Sequence, residues 1–220
     1  MRDIHSHILP GVDDGAQDLG MALEMLEAAR AAGVTSIVCT PHVRDPYFDY
    51  DRMWSAYREL APRAQEAGIE LAMGFEVAHA KLLELGVRAW AERLSFEGSS
   101  EFLLELDSGC SAEDFREYER TIYKLQTLGR DVIIAHPERY RAIQKRPELA
   151  EELVRMGCRL QASANFISGG RLGREKRPAR RLFERGLYRF IASDAHRPRH
   201  YELLARAVRE FPVREEVAGW

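Results

Sequence analysis

Asp3-Ile4-His5-Ser6-His7-Ile8-Leu9 is the stretch from which the fold can be read outward. Apolar residues surround two histidines spaced two apart, and on a β-strand that spacing puts both imidazoles on one face. Asp13 and Asp14 follow in the next turn. Two imidazoles with carboxylates beside them at one strand end form a donor set for a divalent metal ion. The rest of the chain is therefore read for donors that a fold would deliver to the same place.

Apolar runs alternate with segments of helical period along the whole chain. Strands are predicted over Asp3 to Leu9, Thr35 to Thr40, Ile69 to Val77, Phe102 to Asp107, Asp131 to His136, Arg159 to Ser163 and Tyr188 to Asp194. Helices are predicted over Leu19 to Ala32, Tyr50 to Ala67, Ala112 to Leu128, Pro147 to Met156, Pro178 to Arg185 and His200 to Glu210. Gly33, Gly68, Gly129, Gly157 and Gly186 close helices where left-handed caps favour glycine, and an apolar strand follows each within a few residues. This grammar belongs to βα units around a parallel sheet. The expected fold is α/β, a distorted (β/α)7 TIM-like barrel forming one domain over residues 1–220. An open doubly wound sheet is the rival, but no glycine-rich phosphate loop follows the first strand.

With Lys+Arg 32 against Asp+Glu 35, the net charge of -3 shows no basic excess of the kind that duplex nucleic acid requires. No apolar window is long enough to cross a bilayer, and a histidine motif beginning at residue 5 leaves no room for a cleavable leader; a cytoplasmic protein with no membrane insertion is expected. Cys39, Cys110 and Cys158 are odd in number and widely spaced, which fits reduced thiols rather than a disulfide framework.

The ligand-type residues fall almost entirely at the carboxyl ends of the predicted strands. His5 and His7 lie on the first, His42 follows the second, Glu76 ends the third and Glu105 lies on the fourth; His136 ends the fifth, and Asp194 with His196 ends the seventh. In a parallel barrel those ends converge on one face. A lone histidine is more often structural than a ligand, but five of seven at strand ends is a pattern, and Glu105 inside Phe102-Leu103-Leu104 needs a partner to be buried. His79 and His200 fall outside the pattern and are read as structural. Gln161 and Ser163, ending the sixth strand, are either supporting donors or ordinary polar residues at the barrel mouth.

The set Asp3-Ile4-His5-Ser6-His7, Val12-Asp13-Asp14-Gly15, Thr40-Pro41-His42, Glu76, Glu105, His136-Pro137-Glu138-Arg139-Tyr140 and Ser193-Asp194-Ala195-His196 resembles the PHP (polymerase and histidinol phosphatase) superfamily. Within it, the Asp-Asp-Gly and His-Pro-Glu-Arg-Tyr elements resemble the bacterial capsule- and exopolysaccharide-associated protein-tyrosine phosphatases. The resemblance runs from residue 3 to about residue 200, in order.

It implies three divalent ions, manganese first, with zinc or iron as alternatives. One would take His5, His7, Glu76 and Asp194, a second Glu76 with Glu105 and His136, and a third Asp14, His42 and His196. Arg139 would bind phosphate, and Arg197 and Arg199 compete for a second catalytic, phosphate-contacting role. The implied reaction is hydrolysis of phosphotyrosine by metal-activated hydroxide, on a bacterial tyrosine kinase controlling capsule or exopolysaccharide synthesis. A metabolite phosphatase of histidinol-phosphate type and a catalytically silent, metal-stabilised interaction module are the alternatives. The resemblance also implies a longer carboxyl end than one stopping at Trp220, so a terminal helix is expected to be missing or replaced. Four carboxylates at -4 and three dications at +6 would leave the filled site near +2, attractive to a phosphate dianion.

Two motifs compete for attention. Cys110-Ser111-Ala112-Glu113-Asp114-Phe115-Arg116 matches a Cys-x5-Arg thiol phosphatase pattern, but Glu113 and Asp114 oppose a phosphate nest, and the segment reads better as a helix start. The run Arg171 to Arg185 is either a docking surface for an acidic or phosphorylated tail or a solvated helix face.

Overall fold

The computed structural model describes residues 1–170, 173–211 and 213. The first two residues of the Arg171 to Arg185 run, and the carboxyl end at Trp220, lie outside the described residues. The strands are β1 (Arg2–Ser6), β2 (Ser36–Cys39), β3 (His42–Val43), β4 (Glu70–Met73), β5 (Glu76–Ala78), β6 (Glu101–Glu105), β7 (Asp131–Ala135), β8 (Arg159–Ser163) and β9 (Tyr188–Ala192). The helices are α1 (Leu19–Ala31), α2 (Tyr50–Glu66), α3 (His79–Leu85), α4 (Val87–Trp90), α5 (Phe115–Thr127), α6 (Arg141–Lys145), α7 (Glu148–Arg155), α8 (Lys176–Glu184) and α9 (Arg199–Glu210). Short 3₁₀ turns cover Pro137–Arg139 and Ala164–Ser168.

All sheet pairings are parallel, in a three-stranded sheet β1-β2-β4 and a six-stranded sheet β3-β5-β6-β7-β8-β9. The third predicted strand is split into β4 and β5, and an unpredicted short strand, β3, follows the second beyond Pro41; the reasons are local. Pro41 has no N–H to give to a ladder. At Gly74 any Cβ would stand 2.6 Å from Phe96 and Val38, so the backbone passes directly against Phe96. Backbone bonds nevertheless bridge both breaks, from Gly74 N to Cys39 O at 2.8 Å and from Glu76 N to Pro41 O at 3.2 Å. At the other end, Asp194 N donates to His5 O at 2.8 Å and His7 N to Ala195 O at 2.9 Å, tying β1 to the segment after β9.

The expected helices form where their caps and stripes place them. Asp18 accepts from Met21 N at 2.9 Å to start α1, and Asp49 from Arg52 N at 3.0 Å to start α2. α5 buries Phe115, Tyr118, Ile122 and Leu125, an i, i+3, i+7, i+10 stripe; it begins later than predicted because Ser111 to Asp114 form a turn closed by Asp114 Oδ2. The helix-closing glycines Gly33, Gly68, Gly129, Gly157 and Gly186 all have positive φ.

Apolar residues pack in two separate layers. The larger joins helices to the sheets; the smaller contains Ile4, Val38, Phe96, Leu103, Ile133, Ala135 and Ala192, drawn from β1, β2, β6, β7, β9 and one loop. Residues with opposite parity on the same strands, such as Phe102 and Leu104 or Val132 and Ile134, belong to the larger layer. Both faces of these strands are therefore covered by apolar side chains. The polar residues concentrate at the strands' carboxyl ends.

Candidate metal and phosphate site

A β-bulge shapes the first donors: Asp3 pairs with Ile37 and Ser6 with Cys39, so three steps of β1 span two of β2. His5 and His7 then converge, with their Nε2 atoms 3.1 Å apart. Behind them, His5 Nδ1 meets Gln161 Oε1 at 2.9 Å and His7 Nδ1 meets Asp13 Oδ2 at 2.8 Å. The outer nitrogens are thereby anchored and the inner ones aim together.

Glu76, fully buried, is the centre of the cluster. His136 Nε2 lies 2.6 Å from its Oε1, His42 Nδ1 2.7 Å from its Oε2, and the Nε2 atoms of His5 and His7 each 3.4 Å away. Asp14 Oδ1 stands 3.2 Å from His42 Nε2 and 3.3 Å from His196 Nε2. Asp194 Oδ1 lies 3.6 Å from His5 Nε2 and 3.4 Å from His7 Nε2, and Glu105 Oε1 3.8 Å from His136 Nε2. Every metal-ligand residue expected from the sequence is thus brought into one cluster.

Among the described residues, three donor groups could each hold an ion: His7, Asp14, His42 and His196; His5, His7 and Glu76; and His42, Glu76 and Glu105. They differ from the expected partition in three ways: Asp194 is not part of the His5, His7 and Glu76 group, His7 also joins the Asp14 group, and His42 replaces His136 beside Glu76 and Glu105. Shared residues explain the last two, since His7, His42 and Glu76 each lie between two groups.

The fit to cations rests on buried atoms that nothing in the protein satisfies. Asp14 Oδ1, His42 Nδ1 and Glu76 Oε2 are buried without a hydrogen-bond partner. His42 Nδ1 and Glu76 Oε2 are only 2.7 Å apart, yet not in hydrogen-bonding orientation. Buried polar atoms are normally paired. Adjacent lone pairs left over in a group of imidazoles and carboxylates suit a shared divalent ion.

Charge adjusts in the same direction. Burial alone would raise the Glu76 carboxyl, but His5 and His42 hold it well below the ordinary range. Burial would lower His5, and Glu76 with Asp194 raise it instead. Glu105 is pushed up to about 7 by burial and then by the Glu76 charge. His136 is pushed down to about 4 by burial and then by Arg139. Cations bound here would replace protons on imidazoles, so uptake of metal is coupled to proton release.

The backbone is bent to serve this cluster. His136 (φ 31°) and Asp194 (φ 48°) are the described non-glycine residues with positive φ, and both carry candidate ligands. Ser193 donates its N–H at 2.9 Å and its hydroxyl at 2.5 Å to Asp3, fixing the turn that carries Asp194.

Arg139, half-buried, pairs with Asp194, donates to Ser163 Oγ at 3.1 Å and reaches Glu175 Oε2 at 3.3 Å. Arg197 Nη1 donates to the carbonyls of Asp14 at 3.1 Å and Gly15 at 2.9 Å, binding the Asp13-Asp14-Gly15 loop. Arg199 is exposed. All three line an open cavity of about 720 Å³, together with Asp14, Asp194 and His196.

Several contributors escaped the sequence reading. Arg44 reaches His42 Nε2 at 2.8 Å. Glu138 accepts from Ser163 N at 2.8 Å and from the Tyr188 hydroxyl at 2.7 Å; its place inside His136-Pro137-Glu138-Arg139 was the available signal. His200, read as structural, accepts the His196 N–H at 3.1 Å and so supports a candidate ligand. His79 bonds Thr121 Oγ1 at 2.9 Å, a structural role as expected. Asp13, first paired with Asp14 as a donor, spends its carboxylate on His7 Nδ1, Gly15 N and His42 N. Cys110 is buried, with its thiol raised chiefly by burial, which removes the thiolate a Cys-x5-Arg mechanism needs.

Parallel strands with a cluster of histidines and carboxylates at their carboxyl ends define an α/β protein with donor groups able to hold metal ions at one face. The chain belongs to the capsular polysaccharide synthesis CpsB/CapC family, whose profile matches residues 1–206. It is 32% identical over 200 residues to the putative tyrosine-protein phosphatase CapC of Staphylococcus aureus, covering 89% of this chain and 77% of that one. It is 33% identical over 202 residues to tyrosine-protein phosphatase YwqE of Bacillus subtilis, with the same coverage. A crystal structure from work on YwqE of Bacillus subtilis and CpsB of Streptococcus pneumoniae, described as metal-dependent tyrosine phosphatases, superposes with TM-score 0.82 at 30% identity, covering 98% of this chain and 89% of that one. A β-aspartyl dipeptidase from Fervidobacterium islandicum shares the fold alone, at TM-score 0.52 and 15% identity over 88% of this chain and 59% of its own. No helix among the described residues is long and apolar enough to cross a membrane.

Proposed function

We propose that the protein is a metal-dependent protein-tyrosine phosphatase acting in capsule or exopolysaccharide synthesis, with a bacterial tyrosine kinase tail as substrate in the cytoplasm. The observation that carries this reading is the set of buried, unpaired donor atoms on Asp14, His42 and Glu76 in a chain of the CpsB/CapC family. We assign three divalent ions, manganese by preference, to His5, His7, Glu76 and Asp194; to Glu76, Glu105 and His136; and to Asp14, His42 and His196. The scaffold is read as one distorted (β/α)7 barrel: seven parallel strand lines, an inner apolar layer and backbone bonds from β1 to the end of β9 support closure.

When bound, divalent ions supply positive charge for the phosphate oxygens and activate water as the nucleophile. The chain's own residues do the rest. Arg139, charged and locked by Asp194 and Glu175, presents its guanidinium to the cavity for phosphate. Arg199, exposed at the cavity wall, is the second phosphate contact, while Arg197 holds the loop that carries Asp14. A phenol of pKa about 10 leaves more readily than an aliphatic alcohol, so an aryl phosphate depends less on a proton donor.

The test is kcat/KM for phosphotyrosyl peptides, phosphoserine peptides and histidinol phosphate on manganese-replete and chelated protein. Phosphotyrosine should lead, chelation should abolish turnover, and Glu76→Ala should match the chelated protein. A faster reaction with histidinol phosphate would assign the site to metabolite chemistry; no turnover with metal bound would leave only a binding module.

A further inference from the structure

Arg44 stands among the donor atoms rather than beside them. Its Nη2 lies 2.8 Å from His42 Nε2 and 3.7 Å from Asp14 Oδ2, and its Nη1 lies 3.5 Å from Glu105 Oε2. His42 with Asp14 forms one donor group and His42 with Glu105 part of another, so a single guanidinium spans both. The side chain is 28% exposed, at the open edge of the cluster. The Tyr47 ring lies 5.8 Å away, and that ring also stacks beside His42.

An imidazole nitrogen has one lone pair. His42 Nε2 can accept from the guanidinium or bind a cation, but not both at once. Asp14 and Glu105 face the same choice in weaker form, because a cation bound to either would stand a few ångströms from a fixed positive charge. We infer that Arg44 is a resident counter-cation, a positioning residue that gathers the donors of two groups in the metal-free chain and must withdraw for those groups to fill. The inference rests on the metal reading proposed above. The long side chain can withdraw toward solvent without moving backbone, and the Tyr47 face gives the guanidinium a second seat.

Competition fixes the sign of the effect. Removing Arg44 should tighten metal binding while loosening the metal-free protein, whereas a merely structural side chain would weaken both states. A single charge about 7 Å from a dication in a water-exposed setting alters its binding by roughly tenfold.

The experiment is a calorimetric titration of metal-stripped protein with Mn2+ at fixed pH, paired with thermal unfolding in the metal-free and loaded states. Wild type, Arg44→Met and Arg44→Lys are compared, with Arg44→Gln carrying the same test should the Met variant fail to fold. The neutral variants should bind the weaker ions roughly tenfold more tightly, melt lower than wild type when metal-free, and match it when loaded. Arg44→Lys, which keeps the charge, should stay close to wild type in affinity. Unchanged or weaker Mn2+ binding in the neutral variants, or equal loss of melting temperature in both states, overturns the role of Arg44. A wild-type chain that binds no more than one ion overturns the metal reading instead, so the two failures are distinct.

Discussion

Gly15→Ala tests how tightly the loop carrying Asp14 is seated. A Cβ at Gly15 would lie 2.0 Å from the His7 carbonyl oxygen, 2.5 Å from His7 Cβ and 2.8 Å from the carbonyl carbon. These are backbone atoms or the root of a side chain, so no rotamer change relieves the clash. The loop must draw back from β1, and three contacts lie in its path: Ala16 N to His7 O at 3.0 Å, and Arg197 to the carbonyls of Asp14 and Gly15. Overpacking costs about 1 to 3 kcal/mol and each of the three weakened hydrogen bonds about 1 kcal/mol, giving a loss of roughly 4 to 6 kcal/mol. Because Asp14 rides on this loop, the group it forms with His42 and His196 should also lose its ion. The assays are urea unfolding of metal-free protein and elemental analysis of the loaded protein. An alanine variant within about 0.5 kcal/mol of wild type, with full metal content, would refute the claim that this loop has no room.

Glu138 sets a pH dependence of stability. Burial first of all raises its carboxyl to about 7 from an ordinary 4.5. The unfolded chain releases this proton at lower pH than the folded one, so the group's contribution is fully present below pH 4.5 and is lost as pH rises to about 7, by on the order of 3 kcal/mol. Glu138→Gln removes that decline, so its stability relative to wild type should improve between pH 5 and 8 in denaturant titrations; parallel curves would assign the decline elsewhere. Cys110→Ser should leave phosphotyrosine turnover nearly unchanged and thiol alkylation should not inhibit, since the thiol is buried away from the cluster's donors. A trapped phosphocysteine would transfer the chemistry to that residue.

The gathering of the candidate donors was legible because residue type and strand position are both written in the sequence. A histidine or carboxylate at the carboxyl end of a parallel strand goes to the common face whatever the loops do. The short strand β3 after Pro41 and the break at Gly74 were less visible: the third predicted strand has the right composition throughout, and only the approach of Phe96 to Gly74 shows why the ladder yields there. Helices α3, α4 and α6 were not foreseen, being too short for a periodic signal. Arg44 was missed for a related reason. Its neighbours Asp14 and Glu105 are far away in sequence, and a surface arginine two residues after a histidine carries no pattern of its own.

The same distinction separates the donors from what aims them. His7 Nδ1 is held by Asp13, His5 Nδ1 by Gln161 and His196 Nδ1 by the Asp194 carbonyl at 3.0 Å. In each case an oxygen acceptor keeps the proton on Nδ1 and leaves the Nε2 lone pair facing the cluster. His42 is different: both its nitrogens face carboxylates, Nδ1 toward Glu76 and Nε2 toward Asp14. Lacking an oxygen acceptor outside the cluster, it is free to serve either group. Its two nitrogens thus face two donor groups, and Arg44, settling on Nε2 and reaching both Asp14 and Glu105, is placed to influence both.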